Sequence, residues 1–345
     1  MSRKQSAGPA ARSQSSRGFE KELAELEALK GAALDTVSIE LLRKSLAHRN
    51  NFLASKAAKL VADAELFDLL PDVLATFDRF FIDAAKSDPQ CWAKNALAKT
   101  LVKLEHRQKD AYLRGLRHHQ MEPSWGGSSD TAGALRATCT HALVDCPGIS
   151  DADLLTILLE PLTDTDKTVR IEAVRAIGQV GGSSAALVLR LRALLGPSGP
   201  DKDEPEALGA VYASLLALEG ARAVPVVAAA LKQGDDLSAE AAFALADLRT
   251  PEALTALIAR FSAGADAWFG SVLLSAIALT RLPEAMDYLI EIIQRDDREA
   301  QAAIEALGRA APNAELRARV WQAVEETGRR SLETAFHEHL SKPAE

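Results

Sequence analysis

The stretch PEALTALI at residues 251–258 is followed 32 residues later by PEAMDYLI at residues 283–290. Both copies open with Pro, which is well tolerated in the first turn of a helix, and both space their apolar residues as a helix does. A fixed repeat of this length in helical segments is typical of a solenoid, in which each helix pair buries the apolar face of its neighbour. The sequence therefore predicts an all-α fold, an α-α superhelix of stacked antiparallel helix pairs.

The composition agrees with an all-helical stack. Of the 345 residues, 48% are hydrophobic but only 5% are aromatic, and Ala and Leu supply most of the apolar share. Small residues let helices approach closely, whereas strands favour β-branched and aromatic residues. We therefore expect no sheet.

The clearest unit spans residues 151–182, in which LLTILLEPL is followed by the polar turn TDTDKT and then by VRIEAVRAIGQVGG. With Ala173 of the second helix as a register mark, equivalent residues recur along the chain. They are Ala57, Leu97, Cys139, Tyr212, Ala241, Ser275 and Ala303. This register predicts about eight helix pairs, followed by a closing C-terminal pair near residues 313–341.

The second helix of this unit resembles a HEAT repeat of the bacterial type first associated with phycobilin lyases. The match rests on Val169-Arg170, Ala173, Ala176-Ile177-Gly178 and Gly181. The resemblance implies a HEAT-repeat solenoid whose second helices line a concave groove. This repeat family includes scaffolds, transport factors and a few enzymes, so the resemblance implies a fold more strongly than a function.

The rest of the chain divides by composition. Residues 1–18 are rich in Ser, Arg, Gly, Ala and Gln, which predicts a disordered tail. Residues 19–37 contain FEKELAELEALK, whose apolar residues recur at helical spacing, so an amphipathic helix is expected to cap the stack. Residues 38–345 form the predicted solenoid.

Charge is unevenly distributed. The net charge is −8, yet residues 1–120 hold 20 Lys and Arg against 15 Asp and Glu, whereas residues 121–345 hold 20 against 33. An anionic partner would therefore be attracted to the N-terminal part of the chain.

A row of basic residues follows the register in that part. Two positions after the register mark, four consecutive second helices carry Lys59, Lys99, His141 and Arg175. Three positions before it lie Lys94, Arg136 and Arg170. Basic side chains one repeat apart in a groove would suit an acidic peptide or nucleic acid. The alternative is a solvated helix face neutralised by neighbouring carboxylates, with Arg170 bonded to a turn Asp.

Two turns are long enough to carry a binding function. The first, residues 118–130, contains Trp125 and follows a segment with Tyr112, Arg114, Arg117, His118 and His119. Arg and aromatic residues together are typical of binding hot spots and would also stack on bases. The alternative is that Tyr112 lies in the core and that Trp125 folds the turn back onto the helices. The second turn, GPSGPDKDEPE at residues 196–206, is acidic and is expected to be solvated.

The sequence favours no catalytic or metal site. It contains none of the common phosphate-binding, nucleophile-elbow or HExxH motifs. The three Cys residues form no CxxC pair, and the clusters at His118-His119 and His337-Glu338-His339 lack further converging ligands. We expect buried thiols, incidental histidines, no cofactor and no enzyme activity.

The sequence thus favours a non-enzymatic scaffold that presents a groove and a Trp-bearing loop to a protein or peptide partner of acidic character. Nucleic-acid binding, including a DNA-glycosylase-like activity, is an alternative that the acidic pI of about 5.5 disfavours. A bilin lyase or isomerase is a second alternative, implied by the resemblance alone. Because no secretory signal or spanning run of apolar residues is apparent, a cytoplasmic protein that does not bind membranes is expected.

Overall fold

The computed structural model describes residues 9–197, 204–295 and 298–340. Residues 1–8 of the predicted tail, residues 198–203 of the second long turn and the last residues of the predicted solenoid lie outside this part of the chain. Within it the fold is all-α, as predicted, with almost no strand.

The helices have the following bounds: α1 (Pro9–Glu27), α2 (Thr36–Leu46), α3 (Asn51–Asp63), α4 (Leu70–Arg79), α5 (Ala84–Ser87), α6 (Trp92–Lys103), α7 (Lys109–Leu116), α8 (Gly133–Ala142), α9 (Asp151–Leu162), α10 (Lys167–Val180), α11 (Gly182–Leu195), α12 (Pro205–Glu219), α13 (Val224–Ala228), α14 (Asp236–Leu248), α15 (Pro251–Ser262), α16 (Ala267–Leu279), α17 (Pro283–Gln294), α18 (Ala300–Arg309), α19 (Ala314–Thr327) and α20 (Arg330–Leu340). Short 3-10 turns lie at Phe67–Leu69, Pro89–Cys91, Leu143–Asp145, Gly220–Ala223 and Ala229–Lys232.

Side-chain caps explain where many of these helices begin. Asn50 accepts hydrogen bonds from the backbone N–H groups of Phe52 and Leu53, and Asp166 accepts one from Thr168. Such bonds satisfy N–H groups that have no partner inside the helix. The repeated Pro-Glu-Ala stretch begins α15 and α17, with Pro251 and Pro283 in the first turn. The repeat therefore marks equivalent helix starts.

The chain divides into two compact units, Met1–Pro161 and Leu162–Glu345. In the first unit, α3 packs on α6 and α6 on α8, which forms a layer of second helices. Helices α2, α4 and α7 pack on α3, α6 and α8, respectively, and form the other layer. The core between the layers is apolar and includes Leu53, Val61, Phe77, Leu97 and Leu101.

The second unit repeats this arrangement. Helices α10, α12, α14, α16, α18 and α20 pack in that order, and α11, α13, α15, α17 and α19 pack along their other side. Between the layers lie buried side chains such as Leu189, Leu215, Leu245 and Leu273. Each unit is therefore a two-layer stack of helices that neighbour one another in sequence.

Two local features differ from the sequence-based expectation. The first long turn contains a two-stranded antiparallel hairpin, β1 (Met121–Ser124) and β2 (Gly127–Asp130), so the expectation of no sheet was wrong there. Composition averages over the chain and cannot exclude one hairpin built around Gly126, whose φ of +85° suits a tight turn. Helix α1 begins at Pro9, inside the segment predicted to be a tail, rather than near Phe19.

The stretch Pro205–Lys232 is long and apolar enough to cross a membrane by length and composition alone. It is interrupted at Gly220, whose φ is +59°, and its first part, α12, packs on α10, α11 and α14. Leu208, Val211 and Leu215 of α12 are fully or almost fully buried among these neighbours. The buried side of α12 is therefore part of the helical core of the second unit.

Candidate binding groove

A groove of about 600 Å³ lies between α3 and α6 in the first unit. Four lysines line it, two from each helix: Lys56 and Lys59 from α3, and Lys99 and Lys103 from α6. The lining also includes two aromatic side chains, Phe52 and Trp92, and one carboxylate, Asp63. We call this cleft the α3–α6 groove. Its volume is that of a pocket for a small ligand or a few side chains.

The aromatic residues form a row at one end of the groove. The ring centroids of Phe19 and Phe52 are 6.1 Å apart, and those of Phe52 and Trp92 are 5.8 Å apart. Trp92 remains 48% exposed, although it is a large apolar side chain. The ammonium of Lys56 lies 5.4 Å from the centroid of Phe52, within cation–π range. The row offers an apolar contact surface beside the lysines.

Two of the four lysines are paired and two face solvent. Lys103 forms an ion pair with Glu65 at 2.6 Å, which raises the pKa of the lysine. Lys56 lies 3.9 Å from Glu27. Lys59 and Lys99 are exposed, and neither has a carboxylate of the described residues within 4.0 Å. These two ammonium groups are the unpaired cations of the groove, and the lining carboxylate of Asp63 offsets part of their charge.

A buried carboxylate, Asp88, fixes the turn that leads into α6. Its oxygens accept hydrogen bonds from the backbone N–H groups of Ala93 and Lys94, at 2.8 and 2.9 Å, and from Nδ2 of Asn51 on α3. The ammonium of Lys94 completes the site at 3.0 Å from Oδ2 and also donates to the carbonyl of Phe80. Because Asp88 joins α3 to the start of α6, it holds the aromatic end of the groove in place.

The hairpin is bonded to the same turn. The backbone N–H of Gln90 donates to Oε1 of Glu122 at 2.7 Å, and Nε2 of Gln120 donates to the carbonyl of Asp88 at 2.8 Å. At the other end of the hairpin, Trp125 is fully exposed. The alternative interpretation, in which Trp125 folds the turn back onto the helices, is therefore not what the structure has. The hairpin instead presents this indole to solvent.

The carboxylate of Asp130 stabilises the base of the hairpin. Asp130 accepts hydrogen bonds from the backbone N–H groups of Gln120 and Ala132, and its carboxylate also bonds His119 and the buried guanidinium of Arg136. Burial alone would raise the pKa of Asp130, but these bonds outweigh it and hold that pKa far below its usual value. The Asp130 carboxylate is thus charged at any pH near neutral.

Structure assigns a different role to the basic residues three positions before the register mark. Lys94, Arg136 and Arg170 are almost completely buried. Lys94 binds Asp88 and the Phe80 carbonyl, and Arg136 binds Asp130 and the His118 carbonyl. Arg170, which the sequence suggested as structural, donates to the Asp164 carbonyl and pairs with Glu204. The prediction that Lys94 and Arg136 contact a partner is therefore wrong, because their charges are used inside the fold.

The residues two positions after the register mark have mixed surroundings. Lys59 and Lys99 share the α3–α6 groove, but His141 is half-buried and is not part of its lining. Arg175 is exposed in the second unit, where Glu172 neutralises it at 2.6 Å, as the alternative interpretation expects. The structure thus brings together two of the four predicted basic residues.

The remaining predicted residues lie near the hairpin. Arg114 is exposed and forms an ion pair with Asp78 at 2.5 Å, and Arg117 is exposed. His118 is half-buried, with its ring 4.9 Å from that of Phe81, and burial lowers its pKa. Tyr112 is buried and donates its hydroxyl to the carbonyl of His106, which is the core role that the sequence offered as an alternative.

The cysteines behave as small apolar residues. Cys91, Cys139 and Cys146 are buried and form no disulfide. Burial raises the pKa of Cys91 to about 12 and that of Cys146 to about 11, so neither thiol is ionised near neutral pH. Among the described residues, no three His, Cys, Asp or Glu side chains converge on a common point that could hold a metal ion.

The sequence-based prediction included two of the four lysines of the groove and neither of its aromatic residues. Lys56 lies three residues before Lys59 and Lys103 lies four residues after Lys99, so each pair shares one helix face. That spacing was a usable signal. No local signal indicated that Trp92 and Phe52 would meet, because their contact depends on how α3 packs against α6.

Comparison with known proteins adds no assignment: no protein-family model and no curated protein sequence matches the chain.

Proposed function

We propose that this protein is a non-enzymatic binding scaffold, whose α3–α6 groove holds a short acidic segment of a partner protein that also carries an apolar side chain. The observation that supports this function is the juxtaposition of Lys59 and Lys99 with the exposed ring of Trp92. Carboxylates of the segment would approach the two ammonium groups, and its apolar side chain would stack on the indole. Trp is enriched at binding hot spots for this reason.

The size and charge of the groove favour a peptide over nucleic acid. The basic row is interrupted at His141, which is half-buried, and its last member, Arg175, is neutralised by Glu172, so a nucleic-acid backbone would find no continuing row of phosphate contacts. Beyond the groove, the net charge of −8 would repel a long polyanion. A short acidic segment needs only the charges that the groove supplies.

The hairpin provides a second contact on the same unit. Its base is hydrogen-bonded to the turn that begins α6, so Trp125 is presented from a fixed position rather than from a free loop. Because its hairpin is anchored, covering this indole orders less backbone than covering one on a free loop. In this proposal Trp125 contacts the partner outside the segment that occupies the groove.

The finer identity of the repeats and the location of the protein are parts of the same proposal. We infer that the helix pairs are HEAT-like repeats. The supporting observation is the agreement of residues 169–181 with the motif. We also place the protein in the cytoplasm, where its buried, unpaired cysteines would stay reduced.

The test is direct binding of a short fluorescein-labelled peptide that is rich in Glu and contains one Phe, followed by fluorescence anisotropy. The double variant Lys59→Glu/Lys99→Glu is expected to weaken binding about tenfold or more, which corresponds to ~1.4 kcal/mol or more. Trp92→Ala should weaken binding as well, and added salt should weaken it further because exposed charges are screened.

The matched control is Lys44→Glu/Lys109→Glu. It makes the same change in charge on exposed positions of α2 and α7, outside the groove. Equal weakening by both double variants would show attraction to net charge rather than to the groove. A single-stranded oligonucleotide of similar charge serves as the competing ligand, and its preferential binding would replace the peptide proposal with nucleic-acid binding.

A further inference from the structure

Helix α11 in the second unit carries an unusually apolar outward face. Its four most exposed large residues are Leu187, Leu191, Leu194 and Leu195, each between 60% and 68% exposed. At about 100° per residue, these four side chains fall within an arc of roughly 100° on one side of the helix. The opposite side of α11 is buried against the rest of the unit, and it carries Ala185, Leu189 and Ala193.

No charged side chain of α11 shares this face. The helix has only two charged residues, and both are held elsewhere. Arg190 forms an ion pair with Glu219 and donates to the carbonyl of Arg222, while Arg192 donates to the carbonyl of Gly196 at 2.8 Å. Besides the leucines, the exposed residues of this helix are Gly182, Ser183 and Ser184. We call this surface the α11 face.

We propose that the α11 face is a homodimer interface, in which it packs antiparallel against the α11 face of a second copy of this chain. The spacing of the leucines is self-complementary about Leu191. Leu187 precedes it by four residues and Leu195 follows it by four, so each lies about 6 Å along the helix axis from Leu191. A two-fold axis through Leu191 therefore places Leu187 of one copy against Leu195 of the other, and Leu191 against its own equivalent.

The absence of charge favours a second copy over an unrelated partner. A surface without charged groups cannot select a partner by electrostatic complementarity, but it imposes no repulsion when it meets itself. Leu187, Leu191 and Leu194 also follow the 4–3 spacing of a helix–helix seam. The symmetric pairing thus opposes Leu187 to Leu195 and Leu191 to its own equivalent, and it places Leu194 against the half-buried Val188 of the other copy.

The area of the α11 face determines how stable the dimer is expected to be. The four leucines expose on the order of 450 Å² in each copy, at the scale of the largest apolar patches on ordinary monomers. With the flanking serines, the pair of faces would bury roughly 1,000 Å², the lower limit for a specific interface. We therefore expect a reversible dimer that dissociates on dilution.

The first experiment is sedimentation velocity of the full chain over a range of about 1 to 100 μM. The 36.9 kDa chain is expected to shift from monomer towards a species of twice that mass as concentration rises. Leu191→Glu should abolish the shift, because two carboxylates would meet on the axis. At about 1 μM, where the chain is monomeric, it should leave the melting temperature unchanged because the residue is exposed. The control Val37→Glu, at a 75% exposed residue of α2 in the first unit, should dimerise like the unchanged chain.

The second experiment tests the symmetry. Leu191→Cys should cross-link to itself with a short bis-maleimide, since the two-fold axis brings the two thiols together. Leu187→Cys alone should cross-link poorly, but a mixture of the Leu187→Cys and Leu195→Cys variants should cross-link well. The native cysteines are buried and should not compete. A monomer at every concentration, or a dimer that survives Leu191→Glu, would overturn the proposal.

Discussion

The carbonyl groups of the inter-helix turns are bound differently in two regions of the molecule. Around α6, α8 and α10, a buried cation near the start of the second helix reaches back to the preceding turn, as Arg136 does to the His118 carbonyl. Around α11 and α15, the cation is instead supplied by the last turn of the helix that precedes the turn. There Arg192 donates to the carbonyl of Gly196 and Arg260 to that of Gly264.

This difference shows that one physical requirement has two solutions. Backbone carbonyls that leave helical pairing need a donor, and a buried carbonyl without one is costly. A cation at the start of the second helix needs a carboxylate beside it, since it is fully buried and lies at the positive end of the helix dipole. A cation at the end of the first helix is favoured by that dipole, and Arg192 and Arg260 are only half-buried. The first solution should therefore be the more sensitive to mutation.

The largest effect is expected for Arg136→Met. The change leaves Asp130 without its buried guanidinium partner and the His118 carbonyl without a donor. Breaking a buried ion pair on one side typically costs about 3 kcal/mol or more. Urea unfolding should show a loss of this size, and a loss below about 1 kcal/mol would mean that the pair does not hold the hairpin base.

A smaller loss is expected for Arg260→Met, the matched change in the other region. Arg260 donates to the carbonyls of Leu231 and Gly264, and its guanidinium lies 5.0 Å from the ring of Phe269. No carboxylate is bound to it in the described structure, so no buried charge is left unpaired. We expect a loss of about 1–2 kcal/mol in the same measurement. A loss equal to that of Arg136→Met would remove the distinction between the two solutions.

Mild acid should destabilise the region around α6, α8 and α10 before it destabilises the region around α11 and α15. The pKa of His118 is lowered by burial, so the unfolded chain binds a proton at this residue more readily than the folded chain does. The contribution of neutral His118 to stability is present above its ordinary pKa of ~6.5 and is lost as pH falls towards its folded value. Between pH 7.5 and 5.5, the melting temperature should fall less in His118→Gln than in the unchanged chain. Parallel curves for the two proteins would contradict this assignment.

The smallest effect on stability is expected for Trp125→Ser. The indole is fully exposed, so its removal takes no buried apolar area from the fold. Thermal unfolding should be unchanged within error, while binding of the partner should weaken if the hairpin is a contact. A clear fall in melting temperature would show that the side chain packs on the unit after all.

The helical register of Lys94, Arg136 and Arg170 indicated their burial better than their residue type did. At about 100° per residue, a position three before the register mark lies roughly 60° from the core-facing direction, whereas a position two after it lies roughly 200° away. Helical geometry alone therefore places Lys94 and Arg136 near the core, and Lys59 and Lys99 on the surface. Treating all four as surface cations because they are Lys and Arg produced the incorrect part of the prediction.

The remainder of the groove could not be predicted from local pattern. Trp92 and Phe52 are 40 residues apart in sequence, and they meet only because α6 packs on α3. The hairpin at residues 121–130 is similarly stabilised from outside. Its base depends on two hydrogen bonds with the turn at residues 88–90: Gln120 donates to the carbonyl of Asp88, and Glu122 accepts from the backbone N–H of Gln90. No propensity of the hairpin residues encodes these bonds.

By itself, the sequence determined the helical fold, the equivalent starts of α15 and α17 and the outward direction of Lys59 and Lys99. Each of these depends on periodicity and capping within one helix. Tertiary structure alone decided which charges are buried with a partner, which aromatic rings meet and which face of α11 stays uncovered. The physical reason is that periodicity gives the direction of a side chain from its own helix, whereas burial, ion pairing and exposure depend on what a distant part of the chain places opposite it.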